Sequence, residues 1–210
     1  MHLDQVQPGY DGAPLEGWLE AQEGLRYEIL REDTYSVVTD KIPANKTFCG
    51  LCSRLRRGIL YNAAERLGCS KIALGHHRDD ALETFLMNLF YAGKMQAMPA
   101  VYTTDDGRFQ VIRPLIECDE ARIAEYAQLV GFPILPCNLC GSQENLQRVQ
   151  VKAMLADWEK RYPGRTETIF RSIANVAPSQ LADRALFDFA GLEQQSPEAG
   201  GELRIRAVNL

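Results

Sequence analysis

Apolar residues recur at Leu55, Ile59, Leu60, Ala63, Ala64 and Leu67, a spacing that predicts a helix over 53–67 stopped by Gly68. The same period predicts helices over 15–22, 79–92, 119–130 (stopped by Gly131), 145–162 (stopped by Pro163-Gly164) and 166–176. Asp79, Asp80 and Glu83 crowd the first turn of the second of these, where carboxylates suit the positive end of a helix. Short apolar runs predict strands at 27–30, at 71–75 and at 132–135. Asp106-Gly107 between two β-prone runs predicts a hairpin across 101–113. Residues 1–14 are rich in turn signals, a loop around Pro43 leads into Cys49, and 194–201 reads as a flexible tail.

Helices alternating with strands point to an α/β fold with a mostly parallel sheet. The 210 residues suffice for one domain of ordinary size, expected over 1–178, with a tail over 179–210. With 46% hydrophobic and 24% charged residues, the composition excludes a wholly disordered chain. No run of about 18 apolar residues predicts a membrane span, and the first residues lack the pattern of a signal peptide. A cytoplasmic protein without membrane contact is expected. The net charge of −5 argues against a generally basic nucleic-acid binder. The charge is uneven, however: 1–45 carry three Lys/Arg against nine Asp/Glu, whereas 46–95 carry eight against four. A local basic face of that kind holds RNA or nucleotide, or is simply a solvated helix face.

Three clusters carry candidate chemistry. Four of the six cysteines form two Cys-x-x-Cys pairs, Cys49/Cys52 and Cys137/Cys140, while Cys69 and Cys118 stand alone. Eighty-four residues separate the pairs, too many for a compact zinc ribbon, so the pairs would meet across a folded domain. A reduced compartment favours a metal or cluster, or a redox pair, over structural disulfides. The second cluster is Gly75-His76-His77-Arg78-Asp79-Asp80, at a strand end and helix start. Ligands bind at that place in α/β sheets, although capping acids and packed histidines would look the same. Two carboxylates there suit Mg²⁺ or the orientation of a nucleophile. A zinc hydrolase built on His76 and His77 lacks a third ligand at suitable spacing. The third is Ser53-Arg54-Leu55-Arg56-Arg57, whose arginines suit phosphates or form a solvated face. No GxGxxG or GxxxxGK[ST] phosphate loop is present.

Several long segments resemble the tRNA 2-thiocytidine synthetase (TtcA) family. They are Cys49-Gly-Leu-Cys-Ser-Arg-Leu-Arg-Arg-Gly-Ile-Leu-Tyr61, Lys71-Ile-Ala-Leu-Gly-His-His-Arg-Asp-Asp80 and Phe90-Tyr-Ala-Gly-Lys-Met95. Ile134-Leu-Pro-Cys-Asn-Leu-Cys-Gly-Ser-Gln143 and Asp157-Trp-Glu-Lys-Arg-Tyr-Pro-Gly-Arg165 complete the set, so that the resemblance covers roughly 1–190. It implies a Rossmann-like, adenine nucleotide alpha hydrolase-like parallel sheet with a helical C-terminal part, of the PP-loop ATP pyrophosphatase kind. It implies ATP-dependent sulfur transfer to cytidine 32 in the anticodon loop of tRNA, through adenylation of the base and a [4Fe-4S] cluster, with Mg²⁺. Cys49, Cys52 and Cys140 (alternatively Cys137) would hold the cluster. Asp80 would be the essential carboxylate, Arg56 would lie near cluster and substrate, and Gly75, His76 and Asp79 would bind the nucleotide. A sulfur donor such as a cysteine desulfurase and a homodimer are the implied partners. The family's Ser-Gly-Gly-Lys-Asp-Ser loop does not occur in the chain. His2-Leu3-Asp4-Gln5 resembles the end of the family's second strand, so the expected sheet lacks the first strand, the PP-loop and the first helix. That implies an exposed sheet edge and weak ATP turnover, and as an alternative function a catalytically silent iron–sulfur or zinc-binding module.

Overall fold

A computed structural model of the chain describes residues 1–43, 49–135 and 143–192. It divides into two compact units, 1–171 and 172–210.

In the first unit, β1 (His2–Asp4) runs parallel to β2 (Ile29–Arg31), with His2 opposite Ile29 and Asp4 opposite Arg31. Between them lies α1 (Ala13–Glu20), which opens on Pro14, a residue suited to a first helical turn. A second sheet has β5 (Gln110–Ile112) at its centre. It pairs in parallel with β3 (Lys71–Ala73) and antiparallel with β4 (Val101–Thr103). The Asp106-Gly107 hairpin forms as expected. Asp106 accepts from the Thr104 hydroxyl at 2.6 Å and from the Arg108 N–H at 3.1 Å, and Gly107 takes the left-handed φ of 73° that the turn requires.

Among the described residues the strands therefore form two small sheets, where the periodicity predicts one mostly parallel sheet. Phe132–Leu135 is not a strand. Of its apolar residues Phe132 joins an aromatic cluster, its ring meeting Trp18 edge-on at 5.0 Å and Tyr126 at 5.9 Å, while Ile134 is exposed. The strand expected at 27–30 is shifted to 29–31.

The helices follow the pattern more closely. After α2 (Thr34–Lys41), α3 (Cys49–Arg66) begins one turn earlier than the periodicity predicts and takes in both cysteines of the first pair. The predicted helix over 79–92 is α4 (Arg78–Met87), continued as a π-helical turn over Asn88–Ala92. α5 (Glu120–Val130) is capped by Asp119, whose side chain accepts from Arg122 N–H at 2.8 Å, and ends on Gly131 at φ 72°. α6 (Gln143–Arg161) and α7 (Arg165–Ile173) follow. α4 packs against α6, and the core holds Ala81, Leu82 and Leu86 of α4, Val151 and Leu155 of α6, and Phe109 and Val111 of the hairpin. Among the described residues no helix is long and apolar enough to cross a membrane.

The second unit is described as far as residue 192. It contains a 3-10 turn over Pro178–Gln180 and an edge-to-face pair, Phe187 and Phe189, with centroids 4.9 Å apart.

Candidate active site

The run from Gly75 to Asp80 leaves the end of β3 and enters α4. Leu74 N–H still bonds to Ile112 O at 2.9 Å, so the sheet ladder holds the backbone up to the residue before Gly75. A Cβ built on Gly75 would meet nothing within 4 Å. Open space therefore lies against the backbone at the strand's carboxyl end.

His76 is half-buried, and its Nδ1 has no hydrogen-bond partner. Burial, helped by the Arg113 charge, pushes its pKa below the usual value and keeps the ring a neutral imidazole. His77 stands at the N-cap of α4. Its backbone N–H donates to Asp80 Oδ2 at 3.0 Å, and its Nε2 lies 3.4 Å from the same oxygen. Asp79 has a different neighbour: its Oδ2 accepts from the Glu120 N–H, the first residue of α5, at 2.8 Å. Arg78 N–H bonds to Cys118 O at 2.9 Å, and Arg78 Nη1 reaches Glu167 of α7 at 3.1 Å. The entrances of α4 and α5 are thus stapled together by backbone and side chain, which fixes the orientation of the residues between β3 and α4.

A cavity of about 360 Å³ opens beside Asp80, lined by His77, Asp80, Glu83, Glu120, Arg148 and Lys152. A larger one of about 460 Å³ shares Glu83, Glu120 and Lys152 and extends to Arg78, Asp79 and Glu159. The smaller cavity has nearly balanced charge. Arg148 Nη1 bonds to Glu83 Oε2 at 2.9 Å and lies 3.7 Å from Asp80 Oδ1, and Lys152 Nζ bonds to both carboxylate oxygens of Glu120. Glu83 is buried, and burial pushes its pKa up while the Arg148 charge pulls it down.

The cysteines sit elsewhere. Helical spacing puts positions 49 and 52 on one face of α3. The Cys52 thiol is half-buried and accepts from Gln5 Nε2 at 3.4 Å; the same amide donates to Thr34 Oγ1 at 2.7 Å. Cys137 and Cys140 lie outside the described residues, as does the side chain of Cys49. Arg56, one turn beyond Cys52, is exposed. Among the described residues no group of three or more His, Cys, Asp or Glu side chains is arranged to hold a metal ion.

Of the residues expected from sequence, the structure thus brings together Gly75, His76, Asp79 and Asp80 on one segment and Cys52 and Arg56 on one helix. From the sequence Glu83 reads only as an acid at a helix start, and Arg148 is not singled out. Their contact joins positions 65 residues apart, and the one local signal is a carboxylate flanked by the apolar Leu82 and Leu86.

Comparison with known proteins shows what the chain is similar to. Residues 35–134 match the family model of the PP-loop domain. A tRNA-cytidine(32) 2-sulfurtransferase of Methylococcus capsulatus is 57% identical over 211 residues, covering 98% of this chain and 73% of that protein. The corresponding protein of Azotobacter vinelandii is 57% identical over 210 residues, covering 100% of this chain and 76% of that one. Among solved structures, the U34-tRNA thiolase NcsA from Methanococcus maripaludis, with its [4Fe-4S] cluster, has a similar α/β fold. The TM-score is 0.62 at 22% identity, and the match covers 82% of this chain and 59% of that one. The chain spans about three quarters of the two sulfurtransferases and less than two thirds of the thiolase.

Proposed function

The chain belongs to the tRNA-cytidine(32) 2-sulfurtransferase family, a family of enzymes, and we propose that it places sulfur on C2 of cytidine 32 in the tRNA anticodon loop at the expense of ATP. The observation that carries this reading is 57% identity across 98% of the chain.

The chemistry explains why a nucleotide site is needed. The C2 carbonyl of cytosine is a weak electrophile, and its oxygen is a poor leaving group. Attack of that oxygen on the α-phosphate of ATP releases pyrophosphate and leaves the oxygen esterified to AMP. A sulfur nucleophile then adds at C2, and the C2–O bond breaks with AMP as the leaving group. An unpaired loop base exposes the edge that this requires.

In this chain Gly75 provides the space against the backbone for the nucleoside, and the neutral His76 follows it. Asp80, oriented by the His77 N–H, faces the cavity as the carboxylate that binds Mg²⁺ or steers the reacting oxygen. Asp79 holds the entrance of α5 and so shapes the cavity wall. Arg56 faces solvent one turn from Cys52, suited to the RNA backbone. Cys49, Cys52 and Cys140 (or Cys137) would hold a [4Fe-4S] cluster. The donor set fits: the one thiol whose surroundings are described, Cys52, is free and half-buried, and thiolates are the ligands iron–sulfur clusters require. Such a cluster would supply or relay the sulfur. A cysteine desulfurase is the proposed source of that sulfur and the cytoplasm the proposed compartment.

The test is an anaerobic reaction of the iron- and sulfide-loaded protein, expressed from its complete reading frame, with unmodified tRNA, ATP, Mg²⁺, cysteine, a desulfurase and a thiol reductant, which supplies the two electrons that bring persulfide sulfur to the level of the thiocarbonyl. One 2-thiocytidine per AMP and pyrophosphate is expected. Thiolation without ATP, or ADP as the product, would overturn the reading.

A further inference from the structure

We propose that Arg148, held by the buried carboxylate of Glu83, is a positioning residue for Asp80; this rests on the reading of Asp80 as the essential carboxylate. The Asp80 carboxylate is fixed on one side by α4 itself, since Oδ2 takes the His77 N–H at 3.0 Å. Its other oxygen faces Arg148, with Nη1 at 3.7 Å from Oδ1. The same nitrogen bonds to Glu83 Oε2 at 2.9 Å. One N–H-bearing edge of a planar guanidinium therefore sits between two carboxylates three residues apart on one helix face.

The placement of Glu83 is hard to explain as stabilisation. Its side chain is 7% exposed and its sequence neighbour Leu82 is fully buried. Glu83 gives up its water for a partner whose side chain is still 38% exposed, and such a pair commonly gains little over an apolar replacement. What the pair does achieve is location. Glu83 is buried on α4, which packs against α6, so it sets where the Arg148 guanidinium lies, and that in turn limits rotation of the Asp80 carboxylate. Arg148 also belongs to α6, which begins three residues after Cys140. The same contact therefore ties the carboxylate at the end of β3 to the helix that follows the second cysteine pair.

Steady-state thiolation by the loaded protein, expressed from its complete reading frame, tests this with Arg148→Gln, Arg148→Lys, Asp80→Asn and the double variant Asp80→Asn/Arg148→Gln. A misplaced catalytic group costs up to about 100-fold, so Arg148→Gln is expected to lower kcat about 10- to 100-fold. KM for ATP is expected to change by less than about threefold, because the lost interaction acts on the reacting group. The double variant is expected to be no slower than Asp80→Asn alone, since Arg148 has nothing left to position. Arg148→Lys keeps a charge against Glu83 and is expected to regain part of the rate. Wild-type kcat in Arg148→Gln, an effect confined to KM, or losses that multiply in the double variant would each overturn the proposal while leaving Asp80 in its role. Full activity in Asp80→Asn would instead refute the reading of Asp80. Should Arg148→Gln fail to fold, Arg148→Lys carries the test: a reduced kcat at an unchanged melting temperature supports the proposal, and a wild-type kcat overturns it.

Discussion

Asp79 and Asp80 are adjacent carboxylates with different partners, the Glu120 N–H for Asp79 and the His77 N–H for Asp80, and substitution tests the separate roles proposed for them. The first turn of α5 has N–H groups with no partner inside the helix. Asp119 takes that of Arg122, and Asp79, arriving from α4, takes that of Glu120. Asp79→Ala removes the second acceptor and leaves a donor unpaired in a partly buried place, the Asp79 side chain being 25% exposed. Loss of a helix-capping oxygen costs about 0.5–2 kcal/mol, and the carboxylate charge at a helix N-terminus puts this case in the upper half, about 1–2 kcal/mol. At about 2–4 °C per kcal/mol for a chain of this size, the melting temperature should fall by about 2–8 °C. Asp79→Asn keeps an oxygen acceptor and should lose less than half as much. Thermal denaturation followed by circular dichroism gives the stability, and thiolation well below the lowest midpoint gives the activity. Asp79→Asn is expected to thiolate tRNA, whereas Asp80→Asn is expected to melt near the wild-type temperature and to keep only a small residual rate of thiolation. An Asp79→Asn protein with wild-type stability and no thiolation would refute the capping argument and place Asp79 on the nucleotide.

Gly75→Val puts a side chain into open space at a position without positive φ, so it should not lower the melting temperature. Calorimetric titration should nevertheless show ATP binding weakened by at least about tenfold, or ~1.4 kcal/mol; unchanged binding would remove Gly75 from the nucleotide site. Glu159 accepts from the N–H groups of Gly164 and Thr166 and from the Thr166 hydroxyl, which hold its carboxyl at about 2. That folded value lies below the ordinary 4.5, so its stabilisation is complete above pH 4.5 and is lost as pH falls toward 2. Acid titration of the melting temperature should therefore be less steep for Glu159→Gln than for the wild type, and parallel curves would contradict this. Anaerobic reconstitution should give an iron–sulfur chromophore that Cys49→Ala, Cys52→Ala or Cys140→Ala abolishes. Cys69→Ala, at an exposed turn, should retain it, and loss there would overturn the ligand assignment.

Local chemistry made much of the fold readable. The helix predicted over 119–130 ends on Gly131 as the sequence predicts, while Asp119 stands just outside it as its cap. The hairpin rests on two residues, Asp106 and Gly107. α2 is harder to see because Tyr35, Val37, Val38 and Thr39 favour strands; the Asp33 cap, accepting from Ser36 N–H at 2.9 Å, and burial of Val38 outweigh that preference. Phe132–Leu135 misleads for the opposite reason, since an apolar run serves a ring cluster as well as a sheet. Within the site, the segment from Gly75 to Asp80 is legible because its residues are consecutive. The different contacts of its two aspartates are not, because they depend on Glu120 and Arg148, 41 and 68 positions away from them.

The central claim is sulfur transfer to one tRNA cytidine, and nucleoside analysis of tRNA tests it most directly. A bacterial strain without its own 2-thiocytidine enzyme, supplied with the complete reading frame of this protein, should regain 2-thiocytidine, located at position 32 by fragment mass spectrometry. The same strain supplied with the Asp80→Asn form should regain little of it. Sulfur at another nucleoside, or no 2-thiocytidine from a stably expressed wild-type protein, would contradict the account.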